Sequence, residues 1–445
     1  MRDIFLVVAV FIGLGFTLRF PFVGILLWVW FSIMSPHEEA FGFSQTLPLN
    51  FAIAIVTAVS WLVSKEPKRF PVHRVTVLLL VFLAWTTFNS FFAYAPDFSW
   101  PYWDRVWRIF ALGFMISCLA TNRVRVEAIL WCAAISLMYY GVKGGIFTIA
   151  TGGAYRVYGP PATIIGDNNQ LALALLMVLP LMEYLRSTVA SKLLSKILLG
   201  CMVLIGVSVL GSYSRGAYIG MAVLALFAVA QSKRKVVYFL AIGSFAIAAL
   251  FLMPQSFHDR VDTIGSANSD ASVQGRWMAW QVATRYAWDH FPFGAGFYAP
   301  QLRSIFNYYF PGESIHAAHS IYFQVLGEHG FIGLTLYLGL LIVAALCFRR
   351  LARLKLQNTD ADWIHRLSQL CFSGIVAFGV GGAALSMAYY DLFIIIICLI
   401  PPLTLIAEAA IKKKRNDQSA TVARNLQIDI SPGENDMHGK HPSPL

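Results

Sequence analysis

Long apolar runs recur along almost the whole chain, and they constrain its fold more than any other feature. A helix needs about 20 apolar residues to cross the hydrocarbon core of a bilayer, which is about 30 Å thick. The runs therefore predict an all-α polytopic integral membrane protein with about 12 transmembrane helices within residues 1–411. The candidate segments lie near 3–34, 49–64, 76–94, 105–120, 126–148, 169–186, 192–210, 215–231, 236–252, 331–348, 367–386 and 390–411.

The first of these segments is the ambiguous one. It is interrupted by Arg19, so that it predicts either one long broken helix or two short ones, and about 13 spans is the alternative. The start, MRDIFLVVAVFIGLGF, has a basic residue before an apolar run but no A-x-A cleavage site. This pattern predicts a first membrane anchor rather than a cleaved signal peptide.

Composition excludes whole classes of protein. Only 13% of the 445 residues are charged, whereas 58% are hydrophobic. Soluble globular proteins carry about 25% charged residues. A chain with so few charges cannot cover a water-soluble surface, which excludes a soluble enzyme, a secreted module and a DNA-binding domain.

The placement of the charges explains the net charge of +11. Lys and Arg concentrate in every second connection, and cytoplasmic loops of membrane proteins carry such an excess. The charge therefore indicates topology rather than a nucleic-acid partner, and it predicts that both chain ends are cytoplasmic. The basic clusters lie at 65–74, 123–125, 186–196, 233–235, 349–355 and 412–415.

Two polar regions stand apart from the apolar runs. Residues 253–330 form the one long connection, which the charge pattern places outside the cytoplasm, and GRWMAWQVATRYAWDHF within it predicts a helix with Trp277, Trp280 and Trp288 at roughly helical spacing. Trp is common at the headgroup level of membranes. The tail, residues 416–445, is polar and lacks periodicity, so we expect it to be disordered.

Several ionisable residues gather on the predicted external side. A simple explanation exists for each arginine, because Arg snorkels to headgroups or contacts lipid phosphate. The histidine pair at i, i+3 would suit a metal only if a third ligand stood at a recognised spacing, and none does. None of the six cysteines has a metal-ligand spacing, and we expect them to be packing residues. The candidates are Arg156, Arg215, Arg276, His316 and His319, with Glu313, Glu328 and His329 close in sequence.

Together these residues suit an anionic, lipid-linked substrate at the membrane surface. Arginine donates bidentate hydrogen bonds to phosphate and stays charged. Histidine is the usual base at neutral pH.

Four motifs occur in an order that resembles the O-antigen ligase and polymerase superfamily. They are DNNQLALALLMVLPL, YSRGAYIGM, GRWMAWQVA followed by FPFGAGF, and HAAHSIYFQVLGEHGFIGL. The strongest piece is H-S-x-Y-x-Q-x-x-x-E-x-G from His319 to Gly330, in which many relatives have Asn at the position of Ser320. GGAYRVYGPPATIIGDNN and the opening MRDI are similar to the branch known as exosortase-associated O-glycosylation ligases. The resemblance covers most of residues 1–411.

The resemblance implies a glycosyltransferase of the GT-C type with one large periplasmic loop, in the bacterial inner membrane. Such enzymes need no metal or other cofactor, and they take a glycan from undecaprenyl diphosphate at the periplasmic face. Ligases transfer it to a sugar hydroxyl of the lipid A core, with inversion, and polymerases transfer it to another repeat unit.

By motif, Arg215 and Arg276 would hold the diphosphate and His319 would be the base. Arg156 is a further candidate for the diphosphate, and Glu313, Glu328 or His316 would support the histidine. We expect an O-antigen ligase. A polymerase, a protein O-oligosaccharyltransferase and a transporter of lipid-linked sugars are the alternatives.

Overall fold

The secondary structure of this computed structural model is helical throughout the residues that it describes, which are 1–445 except Phe41, Arg69, Lys233, Met253, 255–270, Lys355, 357–358 and 430–445. The helices are α1 (Arg2–Arg19), α2 (Pro21–Met34), α3 (Leu49–Val63), α4 (Arg74–Phe91), α5 (Pro96–Leu119), α6 (Arg123–Ala150), α7 (Asn168–Thr188), α8 (Lys192–Gly211), α9 (Arg215–Gln231), α10 (Lys235–Leu252), α11 (Ala271–Asp289), α12 (Arg303–Tyr309), α13 (Ile321–Leu351), α14 (Trp363–Gly382), α15 (Asp391–Cys398) and α16 (Ile400–Asp429). Short 3-10 helices span Phe43–Thr46 and Ala299–Gln301.

Six helical segments among the described residues are long and apolar enough to cross a membrane. They are Arg74–Phe91, Arg123–Ala150, Asn168–Thr188, Lys192–Gly211, Ile321–Leu351 and Asp391–Ser419. The predicted all-α architecture of an integral membrane protein is confirmed, but the predicted number of about 12 spans is not. Several of the other helices, such as α2 and α3, are apolar but shorter.

The helices run alternately between two faces of the bundle. One of them, which we call the site face, holds the described parts of connections 35–48, 92–95, 151–167, 212–214, 290–320 and 383–390. Hydrogen bonds hold this face together. Tyr94 N donates to Ala295 O at 2.9 Å, and Gln170 Nε2, in the first turn of α7, donates to Ser386 O at 3.0 Å.

The opposite face, which we call the basic face, holds the described parts of connections 64–73, 120–122, 189–191 and 352–362. Arg125 pairs with Glu66 across it, and Arg366 lies 3.3 Å from the carboxylate of Glu183. Arg69, Lys233 and Lys355 of the basic clusters lie outside the described residues.

The first apolar segment is an antiparallel hairpin of two short helices. α1 ends at Arg19, and α2 begins at Pro21, whose ring fixes φ and whose missing N–H suits the first turn of a new helix. A Cβ at Gly13 would lie 2.7 Å from Leu27, so that positions on either side of the turn face each other.

This hairpin returns the start of the chain to the site face. The carboxylate of Asp3 accepts hydrogen bonds from the backbone N and the hydroxyl of Ser44, at 3.0 and 2.7 Å. Because α16 runs from the site face toward the basic face, its far end and Arg2 lie on opposite faces. This placement argues against the expectation that both ends share the cytoplasmic side, which stays a prediction.

The long connection between α10 and α13 carries helices of its own. α11 packs along α13, and Ala279, Val282 and Phe306 belong to a small apolar core that α11 shares with α12. Trp280 packs inside this arrangement, whereas Trp277 and Trp288 are exposed. The polar segment before α11 lies largely outside the described residues.

The polar tail differs from the expectation of disorder over its first half. α16 continues through residues 416–429, because the chain from Thr404 to Asp429 contains no Gly or Pro and is rich in good helix formers such as Ala, Lys and Arg. The remaining residues of the expected disordered tail lie outside the described part of the chain.

Candidate functional site

His319 lies on the site face, at the end of the segment that enters α13. Its backbone has φ of 42°, in the left-handed region that residues other than glycine seldom adopt. Such conformations cost about 1–3 kcal/mol and concentrate at functional sites. The segment is held by α11, since Trp280 Nε1 donates to Ala318 O at 2.6 Å and the Trp280 ring stacks on Phe323 with centroids 4.7 Å apart.

The neighbouring His316 lies against the start of α11. A Cβ at Gly275 would lie 2.5 Å from His316 Nδ1, so only glycine leaves room for the ring. On the other side, His316 Nε2 is 2.9 Å from the hydroxyl of Ser314. The contact sets Arg276, the residue after Gly275, beside the histidine pair. Among the described residues no group of three or more His, Cys, Asp or Glu side chains is arranged to hold a metal ion.

Burial and three charged or titratable groups act on the imidazole of His319. Burial, and then the positive charge of Arg276, lower the pKa of His319 below its ordinary value, whereas Asp167 opposes this shift. His316 also lowers the pKa. A lowered pKa keeps the imidazole neutral at neutral pH, which is the form that accepts a proton.

Asp167 is a member of this group that the sequence analysis did not select. It is the N-cap of α7, where its carboxylate accepts a hydrogen bond of 2.9 Å from Asn169 N. This capping role by itself accounts for an aspartate in the sequence GDNN, so the sequence gives no reason to expect a second role. Only the folded chain reveals that the same charge acts on His319.

Arg215 is the first residue of α9, and it reaches the site through helix packing. Ser214 caps α9, accepting a hydrogen bond of 3.3 Å from Ala217 N. A Cβ at Gly216 would lie 3.3 Å from the carbonyl oxygen of Gly381, at the end of α14.

The start of α13 packs against the next residue of α14. A Cβ at Gly382 would lie 2.6 Å from Ile321 Cδ1, so glycine allows α13 to approach closely. Arg215 and His319 thus stand beside helices that pack against two consecutive glycines of α14, Gly381 and Gly382.

Glu328 makes its hydrogen bonds with residues other than His319. It is 4% exposed, and its carboxylate accepts hydrogen bonds from the Tyr389 hydroxyl at 2.7 Å and from Tyr298 N at 3.1 Å. Glu313, the other acidic candidate, is exposed and makes no side-chain hydrogen bond or ion pair with a described residue. Among the acidic residues considered, Asp167 is the one whose charge shifts the pKa of His319.

The rest of the E-x-G motif also builds the fold. The carbonyl of Glu328 accepts hydrogen bonds from Asn89 Nδ2 at 2.8 Å and Gly296 N at 2.9 Å. Gly330 has φ of 69°, and a Cβ there would collide with the carbonyl oxygen of Pro292. This part of the motif clamps segment 291–297 onto α13, which explains why the two motifs occur together.

Arg156 lies in a different place from the other arginines. Its side chain is exposed, and it lines a cavity between α1, α6 and connection 151–167 together with Arg2 and Lys143. None of the residues grouped around His319 lines this cavity.

Two family models match separate parts of the chain, within residues 1–338. Residues 200–338 match the family model described as O-Antigen ligase, and this span includes Arg215, Arg276 and His319. Residues 1–190 match a family of unknown function, DUF5935, and this span includes Arg156 and Asp167. No curated protein matches the chain. The narrower resemblance to the exosortase-associated branch gains no support from these matches.

Proposed function

Since residues 200–338 form a domain of the O-antigen ligase family, we propose that the protein is an O-antigen ligase that transfers a glycan from undecaprenyl diphosphate to a sugar hydroxyl of the lipid A core. The family domain marks a membrane enzyme of the glycosyltransferase type that uses lipid-linked glycans. The observation that carries the proposal is His319, held in a left-handed backbone conformation with a lowered pKa beside Arg276.

Arg215 and Arg276 are proposed to hold the donor's diphosphate. The guanidinium group offers paired N–H donors that match phosphate oxygens, and it stays charged when it is partly removed from water. As the bond between the sugar and the diphosphate breaks, negative charge grows on the leaving oxygen. Fixed positive charges at that point lower the barrier. The leaving group is already a stable anion, so the reaction needs no general acid.

His319 is proposed to act on the acceptor. The acceptor's hydroxyl oxygen bonds to the anomeric carbon while its proton passes to a ring nitrogen of His319. The bond from the anomeric carbon to the diphosphate oxygen breaks, and undecaprenyl diphosphate leaves with the electron pair. One displacement inverts the anomeric centre. The two arginines neutralise the diphosphate, so we propose that no metal ion takes part.

The site is proposed to face the periplasm from the bacterial inner membrane. The support is the basic face, which lies opposite the site and carries the Lys and Arg excess typical of cytoplasmic loops. Glu313→Cys, in a background without the native cysteines, should react with a membrane-impermeant thiol reagent added to spheroplasts. Lys412→Cys should not. Labelling of position 412 alone would reverse the orientation.

The alternative functions differ from the ligase either in the acceptor of the glycan or in transporting the lipid-linked sugar instead of transferring it. A polymerase or a protein O-oligosaccharyltransferase would use the same donor and the same residues. A transporter of lipid-linked sugars would place its charged site near the membrane midplane, whereas His319, Arg276 and Arg215 stand at one face.

The deciding experiment is incubation of the purified full chain with undecaprenyl-diphosphate glycan and three acceptors. Glycan on lipid A core supports the ligase. Glycan on a second donor molecule identifies a polymerase, and glycan on protein identifies a protein O-oligosaccharyltransferase. Movement of intact donor across a vesicle membrane, with transfer to no acceptor, identifies a transporter.

A further inference from the structure

The cavity that Arg156 lines opens on the site face, and no residue of the group around His319 lines it. It lies between α1, α6 and connection 151–167, and its volume is about 860 Å³. Ligand cavities are commonly about 300–1,000 Å³, so this one has room for a saccharide of two or three rings. Both its size and its lining set it apart from a packing defect.

The cavity is positively charged. Arg2, Lys143 and Arg156 line it, against one acidic residue, Glu39. Lys143 lies 4.0 Å from Glu39, and neither Arg2 nor Arg156 makes an ion pair with a described residue. The acid that follows Arg2 is engaged elsewhere, because Asp3 accepts both hydrogen bonds from Ser44. The excess of two positive charges favours an anionic occupant.

Aromatic rings supply the rest of the wall. Tyr139, Phe147 and Tyr158 are 43%, 42% and 58% exposed, so their rings are open to an occupant of the cavity. Such rings pack against the apolar faces of sugars. Glu39 and the phenol groups supply hydrogen-bonding partners for hydroxyls. The wall therefore suits a sugar that also carries a negative charge.

The backbone that carries Arg156 is fixed. Val157 N donates to Gly211 O at 2.9 Å, and the side chain of Val157 packs over Gly144, where a Cβ would lie 2.7 Å from it. A charged side chain on a fixed backbone loses less freedom on binding than one on a mobile loop.

The same connection reaches the candidate active site. Arg156 stands in its first half, and Asp167, whose charge acts on His319, stands at its end. Tyr213, two residues before Arg215, donates a hydrogen bond of 2.5 Å to Gly153 O. A molecule seated in the cavity would therefore lie next to the connection that borders both Arg215 and His319.

We propose that this cavity binds an anionic saccharide, phosphorylated or carboxylated, that forms part of the acceptor. The inference rests on the proposed transfer reaction. It assigns the donor's diphosphate to Arg215 and Arg276, and the acceptor's charged sugars to Arg2, Lys143 and Arg156. Connection 151–167 then lies between the donor's diphosphate and the acceptor's charged sugars, and the acceptor hydroxyl extends to His319.

Photocrosslinking in native membranes identifies the occupant without any need for transfer. The photoreactive amino acid p-benzoylphenylalanine is incorporated at Phe147 of the full chain, and adducts are analysed by mass spectrometry. We expect an adduct that contains an acidic saccharide and that falls at least tenfold when Lys143→Glu and Arg156→Glu are combined. A phospholipid adduct, an adduct indifferent to the double substitution, or no adduct overturns the proposal.

Kinetics then test the division between donor and acceptor. Arg156→Glu should raise the KM for acceptor about tenfold or more and leave the KM for donor unchanged, because a charge-assisted contact is lost. Arg156→Lys should retain most of the affinity. Arg303→Glu, at an exposed arginine of the same face, is the matched control and should change neither constant. An equal rise in both KM values overturns the acceptor assignment, whereas a wild-type chain that transfers no glycan ends the proposed function and leaves the crosslinking result standing.

Discussion

The hydroxyl of Tyr389 donates a hydrogen bond of 2.7 Å to the buried carboxylate of Glu328. The other carboxylate oxygen accepts from Tyr298 N at 3.1 Å. One side chain of α13 thereby joins the connection after α14 to the segment between α11 and α12. Its motif places this glutamate close to the proposed catalytic histidine, but in the folded chain its carboxylate links three segments.

Glu328→Ala should therefore destabilise the protein. The substitution leaves the Tyr389 hydroxyl and Tyr298 N without their acceptor, at about 1–3 kcal/mol for each buried group. Thermal unfolding in detergent should show a lower midpoint, and Glu313→Ala, at an exposed glutamate, should show none of this change. A Glu328→Ala protein of full stability that has lost turnover would instead make the carboxylate a chemical participant.

The pH dependence of transfer should follow His319. The neutral imidazole is the proposed base, and the pKa of His319 is lowered, so the fall of the rate toward low pH should lie below pH 6.5. Asp167 raises that pKa, so Asp167→Asn should move this fall further toward low pH. Asn caps helices as well as Asp does, which keeps α7 intact. Asp97→Asn, at an exposed aspartate of the same face, is the control, and a shift toward high pH in Asp167→Asn would contradict the assignment.

His319→Ala should separate turnover from donor binding. A general base contributes about 10²–10⁴ to the rate, so single-turnover transfer should fall by that factor while donor affinity stays close to that of the wild type. Gel filtration in detergent establishes that the variant is folded. His365→Ala, at a histidine in the first turn of α14 next to the basic face, should transfer normally. Transfer at the wild-type rate in His319→Ala would end the base assignment, and His316 and His329 would be tested next.

Arg215→Ala and Arg276→Ala should weaken both donor binding and turnover. Charge-assisted hydrogen bonds are worth about 1.5–3 kcal/mol each. Lysine at either position should restore only part of the loss, because it keeps the charge but lacks the planar pair of donors. Arg285→Ala, on the exposed side of α11, is the matched control, and full rescue by lysine would show that charge alone is enough.

Transfer should survive removal of divalent metal. Arg215 and Arg276 are expected to neutralise the diphosphate, so exhaustive treatment with EDTA should leave the rate unchanged. Activity that is lost and then returns with Mg²⁺ or Mn²⁺ would refute this. It would also revive the metal interpretation of the His316/His319 pair, which His316→Ala in the presence of added metal would test.

The amino-acid sequence predicts the class of fold and part of the site, for physical reasons that can be traced. Apolar runs need a helix when they lie in lipid, because every backbone group must then be satisfied within the segment. The motif around Gly275 and Arg276 lies beside the His316/His319 segment in the fold, as the family order of motifs implies. Those parts depend on local pattern.

What the sequence could not predict depends on contacts between distant segments. Glu328 and His319 lie about two and a half helical turns apart, so which neighbours each side chain meets depends on how α13 packs. Glu328 meets Tyr389, which comes much later in the chain. The charge of Asp167 acts on His319 only because α7 starts on the same face. The choice between one broken helix and two short ones in the first segment, which Arg19 left open, is decided by the packing of α1 against α2.

Gly381 and Gly382 give the site a fixed frame. The helices that carry Arg215 and that follow His319 pack directly against these two positions, so α14 sets the spacing between the proposed diphosphate-binding residue and the proposed base. A bulkier residue at position 382 would disturb the reaction without touching either substrate.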